Sequence, residues 1–129
     1  MNKAIWISRV TLALIFVWFG ALKFIGVSPV VPIIEQAYPW VMHTAGLYTL
    51  LAFLEIALGI GILVPRFTKL VGVALIVHLM FATAGVLISP QAFPGGFPLL
   101  SVVGEFVIKN FALMALALVI LCHRKIARI

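Results

Sequence analysis

Residues 47–88 read LYTLLAFLEIALGIGILV, then PRFTK, then LVGVALIVHLMFATAGVLI. Two long apolar runs, Leu47 to Val64 and Leu70 to Ile88, flank a link that holds one proline and two cations, Arg66 and Lys69. A helix crossing a hydrocarbon core of about 30 Å takes roughly 20 mainly apolar residues. Proline ends a helix, and a short polar link returns the chain antiparallel. The stretch therefore predicts a helical hairpin whose arms each cross a membrane, with its link on the side where positive loops collect.

Two further runs flank the hairpin, Ala4 to Ile25 and Val103 to Cys122. The expected fold is all-α: a single integral membrane domain over residues 1–129, built as a four-transmembrane-helix bundle (about 4–25, 47–64, 70–88 and 103–122). Composition agrees, because 65% of the 129 residues are hydrophobic and 9% charged. A soluble domain carries roughly 45–50% and about 25%. One cysteine, Cys122, excludes a disulfide scaffold and any two-cysteine redox motif.

The net charge of +6 would suit a nucleic-acid-binding surface, but the cations lie between apolar runs, so no nucleic-acid partner is expected. Lys3, Arg9, Arg66, Lys69, Arg124, Lys125 and Arg128 all fall at one set of helix ends. The opposite loops, 26–46 and 89–102, have only Glu35 as a charge. This asymmetry predicts a multi-pass protein of the bacterial inner membrane with both termini cytoplasmic. The first run contains Arg9 and Lys23 and reaches Ile25 without a clear small-residue cleavage site, which predicts a retained helix rather than a signal peptide. The loop from Ser28 to Trp40, with three prolines, Tyr38 and Trp40, predicts a short interfacial helix. It would serve either as a spacer closing the bundle or as a lid over an outer cavity.

Ionisable side chains within hydrocarbon cost several kcal/mol unless paired or wetted, so they are the first candidates for function. At about 1.5 Å of rise per residue, Glu55 lies roughly 16 Å above Arg66 and His78 roughly 13 Å above Lys69. Lys23 and Lys109 lie roughly 21 and 22 Å above Arg9 and Arg124, and Glu105 precedes Lys109 at the i, i+4 spacing of a helical ion pair. Arg9, Ala13, Phe16, Gly20 and Lys23 recur on one stripe. Tyr48, Glu55, Gly59 and Ile62 form a second, and His78, Ala82 and Gly85 a third. Small residues on such stripes permit close helix approach in lipid, so the charged faces are expected to point inward.

Lys23, Glu55, His78, Glu105 and Lys109 are thus the candidate ligand-binding residues. Two readings follow: ion pairs that hold register, or a partly wet pocket binding a polar head group while an apolar tail lies between helices. The second suits a quinone or a lipid. No metal is expected, since no convergent His or carboxylate set occurs, and no haem, since His43, His78 and His123 sit at different depths. Asn110 reads most simply as a helix–helix hydrogen bond.

Three segments carry a resemblance: RVTLALIFVWFGALKF (9–24), EIALGIGILVPRFTK (55–69) and GEFVIKNFALMALALVI (104–120). With LIVHLMF around His78 and the proline-rich loop before the fourth run, they resemble the DoxX-like family of small four-helix membrane proteins over nearly the whole chain. The matching features are Gly20-x-x-Lys23, Glu55 with its glycines, and Gly104-Glu105 leading to Lys109-Asn110. The resemblance implies a four-helix fold and a link to redox or oxidative-stress functions, as in the small subunit of a membrane thiosulfate:quinone oxidoreductase. The wider superfamily also implies cargo receptors, a receptor-assembly chaperone and a maturation factor.

The leading expectation is an accessory subunit in membrane redox chemistry that binds a quinone or other apolar small molecule in an outward-facing pocket. Its partners would be membrane lipid and either a redox partner protein or a second copy of the chain. The alternatives are a non-enzymatic assembly factor or chaperone for a partner membrane protein and, third, a small transporter. Catalysis itself is unassigned.

Overall fold

The computed structural model describes residues 3–28, 31–96 and 98–127. Pro29, Val30 and Arg128, which entered the loop and charge readings, lie outside these described residues. The chain is all-helical, with no strand among the described residues. Its helices are α1 (Lys3–Phe24), α2 (Val31–Ala37), α3 (Pro39–His43), α4 (Leu47–Gly61), α5 (Thr68–Ile88), α6 (Val102–Ile108) and α7 (Asn110–Ala127). Two are long and apolar enough to cross a membrane: α1, and α5 taken with the turn before it (Pro65–Ile88). The helices α4 and α7 are apolar but shorter.

Prolines set the boundaries. Val64 is extended (φ −96°, ψ 108°) because it precedes Pro65, which opens a single 3-10 turn (Pro65–Phe67) before α5. Ser89 is extended before Pro90 in the same way and ends α5. The predicted hairpin is therefore present, but its first arm stops at Gly61, three residues before the end of the apolar run. The fourth run departs further from expectation. It is broken at Lys109 into α6 and α7. Ser101 caps α6 by accepting the Gly104 N–H at 3.0 Å.

Packing is pairwise. The seam between α1 and α4 is closed by reciprocal glycines: a Cβ on Gly20 would lie 2.7 Å from the Ala52 carbonyl oxygen, and one on Gly59 would lie 3.0 Å from that of Ala13. Backbone meets backbone there, as small residues permit. Along α5, Gly72 receives the Leu121 side chain of α7. At the hairpin end of α4 and α5, Gly61 faces Val71.

An inner cluster gathers Leu12, Phe16, Leu58, Ile62, Leu75, Leu79 and Ile120, and an outer one Ile33, Val86, Ala92 and Val107. The outward faces are apolar as well: Trp6, Ile7, Leu14 and Trp18 on α1, Leu50 and Phe53 on α4, Leu70, Met80 and Phe81 on α5, and Leu118 and Val119 on α7 are all exposed.

Arg9 does more than mark one set of helix ends. It lies at the end that carries Arg66 and Lys69, but it is buried, 4% exposed. Its guanidinium donates to the Ile62 carbonyl and to Thr68 Oγ1, each at 2.7 Å, while Thr68 Oγ1 donates to the Pro65 carbonyl at 2.9 Å. The Ile62 carbonyl belongs to the C-terminal, partially negative end of α4, which suits a cation. One side chain so ties α1 to both arms of the hairpin.

Candidate functional site

The predicted stripe on α1 faces inward: Arg9, Ala13, Phe16, Gly20 and Lys23 are all buried. Because the Gly20 and Gly59 contacts bring α1 flush against α4, Lys23 and Glu55 come within reach of each other. Lys23 Nζ donates to Glu55 Oε2 at 3.0 Å. From α5, His78 Nε2 lies 3.1 Å from the other carboxylate oxygen, Oε1. Glu55 is 3% exposed and Lys23 8%. Three helices thus deliver a cation, a carboxylate and an imidazole to one point.

The protonation pattern follows from donor inventory. A carboxylate only accepts, so His78 Nε2 carries the proton that faces Glu55 and, in a neutral ring, Nδ1 is left as an acceptor. An ammonium has three donors, and among the described residues Lys23 commits one of them, to Glu55. Phe16 meets the His78 ring edge-on at 5.8 Å between centroids and holds its orientation.

With Asn110, this triad forms the polar part of the wall of a cavity of about 550 Å³ lying between the two apolar clusters. The remaining lining is mostly apolar: Phe16 and Phe19 from α1, Leu51 and Leu54 from α4, Val77, Leu79 and Phe81 from α5, Val107 from α6 and Leu113 from α7. The outer loop covers it with Ile33, Ile34, Ala37, Tyr38, Trp40 and Val41. Of the two expectations for that loop, its place over the cavity is that of a lid. It is fastened to α5 by Tyr38 Oη donating to the Phe81 carbonyl (2.8 Å) and to the following turn by Ser89 Oγ donating to Gln36 Oε1 (2.7 Å).

Of the five predicted site residues, Lys23, Glu55 and His78 come together, while Glu105 and Lys109 do not join them. Both are exposed, neither lines the cavity, and among the described residues no ion pair joins them. The cause is local. Gly104 sits against the Ala92 carbonyl, where a Cβ would come within 2.8 Å, and Val107 is buried, so this face of α6 is the inward one and Glu105 falls outside it. The break at Lys109 then hands the inward position to Asn110. Asn110 was read as a simple interhelical bond; its spacing from Val107 and Leu113 was the available signal that it shares their face. Among the described residues, no group of three or more His, Cys, Asp or Glu could hold a metal ion.

No family model, no characterised protein and no solved structure shows significant similarity to the chain. The site stands on its geometry.

Proposed function

We propose that the chain is a four-span protein of the bacterial inner membrane, both termini cytoplasmic, that binds a quinone in this cavity as an accessory subunit in membrane redox chemistry. The apolar outward faces support the membrane reading, because a helix that is hydrophobic all round suits lipid rather than water. On this reading α4 with its trailing turn and the broken α6–α7 segment complete the spans begun by α1 and α5. The DoxX-like resemblance points the same way.

One observation carries the ligand reading: a carboxylate bonded to both a lysine and a histidine on the wall of a mostly apolar cavity. Buried ion pairs contribute little net stability, and well-packed apolar residues often replace them without loss, so a bundle of this size needs no such triad to fold. The cavity falls within the roughly 300–1,000 Å³ of small-molecule sites, which pair apolar walls with a few convergent polar groups. A quinone fits both requirements. Lys23 would hold a carbonyl oxygen through its uncommitted N–H donors, with Glu55 setting its orientation and charge and His78 holding Glu55 in place, and the bound quinone would supply two-electron, two-proton redox chemistry.

The test is purification from native membranes in mild detergent, followed by organic extraction and mass spectrometry. The expected result is near-stoichiometric quinone from the wild type and its loss from Glu55→Gln with helical circular dichroism unchanged. Wild-type protein that yields no quinone but retains one membrane-protein partner would replace this reading with that of an assembly factor.

A further inference from the structure

We propose that the ligand reaches this site sideways, from within the bilayer, through an opening between α4 and α5, and that it is a head group with a flexible apolar tail left lying in that opening. The inference rests on the quinone reading and narrows it to tailed quinones.

Several other approaches are closed. The seam of α1 with α4 is closed by backbone contact at Gly20 and Gly59, and that of α5 with α7 by Leu121 seated on Gly72. The outer approach lies under the α2–α3 lid and its two fastenings, and Ile33 of the lid is 5% exposed. The floor is the inner cluster, below which Arg9 stitches α1 to the hairpin.

Between α4 and α5 the cavity lining reaches the surface. These helices meet at Gly61 and Val71, and the Glu55–His78 contact joins them at the cavity wall. The strongly exposed members of the cavity lining are Trp40, Leu54, Val77 and Phe81, at 59%, 46%, 47% and 62%, and all belong to α3, α4 or α5. Counted from Gly61 and Val71, Leu54 and Val77 sit roughly 10 Å up, and Leu51 and Phe81 roughly 15 Å. They form two facing levels of an apolar mouth, with the aromatic edge of the lid above. Among the described residues the side chains at this mouth are apolar apart from the Trp40 N–H, so a water-soluble ligand would lose hydration there, whereas an alkyl or prenyl chain in lipid passes at little desolvation cost.

The experiment uses the full-length protein in lipid nanodiscs with Trp6→Phe, Trp18→Phe and Cys122→Ser, which leaves Trp40 at the cavity as the reporter. Leu51→Cys and Phe81→Cys are joined by a thiol-cleavable bismaleimide, and saturable quenching of Trp40 is followed after adding decylubiquinone or the same ring without its tail. The uncross-linked protein should bind the tailed probe at least tenfold more tightly than the tail-less one. Cross-linking should slow quenching by the tailed probe at least tenfold, and cleavage should restore it. Val77→Phe, which narrows the lower level without a cross-link, should slow it in the same direction. Equal affinity for the two probes, with quenching rates indifferent to both obstructions, would overturn the lateral route and leave the quinone reading standing. Absence of saturable quenching by either probe would overturn that reading, and this inference with it.

Discussion

Removing one member of the Lys23–Glu55 pair should be more damaging than removing both. At the observed N···O separation of 3.0 Å and an effective dielectric constant of about 20, the direct attraction is about 5 kcal/mol. Desolvation offsets much of this in the intact pair, but a single variant keeps the desolvation of the surviving charge and loses its partner. Lys23→Met leaves a carboxylate, in a residue 3% exposed, with His78 as its remaining partner; Glu55→Gln leaves an ammonium, in a residue 8% exposed, facing a neutral amide. Each should cost about 3–5 kcal/mol of unfolding free energy. The double variant Lys23→Met/Glu55→Gln restores neutrality and should lie above either single, giving a coupling of at least ~2 kcal/mol. The assay is equilibrium unfolding of all four proteins in mixed micelles titrated with SDS, followed by circular dichroism. Single costs below about 1 kcal/mol that simply add would show the pair to be hydrated, and the argument for a dry triad would fail.

Three further outcomes are expected. Gly20→Val drives a side chain into the Ala52 carbonyl and Ile56 and should cost at least about 2 kcal/mol in the same titration, whereas Ala21→Val, at an exposed position one residue on, should stay within about 0.5 kcal/mol. Tyr38→Phe removes one fastening of the lid, worth about 1 kcal/mol, so amide exchange in residues 33–41 should quicken roughly fivefold while α1 exchange is unchanged. Lys109→Ala, at an exposed position away from the cavity, should leave both stability and quinone retention at wild-type levels; loss of the quinone would refute the placement of the site.

How much of this was readable beforehand differs from helix to helix. On α1 the recurrence of Arg9, Ala13, Phe16, Gly20 and Lys23 at steps of three and four needed only the helical period, and all five are buried. Lys23 and Glu55 meet although counting put them roughly 5 Å apart in height, because a lysine side chain spans that difference. The same counting failed on the fourth run. It assumed one unbroken helix back from Arg124, and the interruption at Lys109 resets the phase, turning Glu105 outward and Asn110 inward. Nothing in the local sequence there announces a break, since no proline or glycine stands at residues 108–110. Arg9 was legible as an inward residue from its stripe but not as a tether, because its two acceptors depend on how a distant turn folds. The outer loop was legible as helical from its prolines and aromatics, but the expected single helix is split into α2 and α3, and only the packed structure shows the cavity beneath them.

The reach of that tether bears on how the protein is made. Arg9 waits for acceptors that lie 53 and 59 residues later in the chain. At roughly 5–20 residues per second of synthesis, about 3–12 s separate the polymerisation of Arg9 from that of Thr68. On the proposed membrane reading, the Arg9 guanidinium is accommodated during that interval by headgroup phosphates or by the insertion machinery. Arrival of the hairpin on the ribosome is therefore the event that lets the nascent first helix settle, and a chain stalled short of residue 68 would leave that cation exposed to quality control.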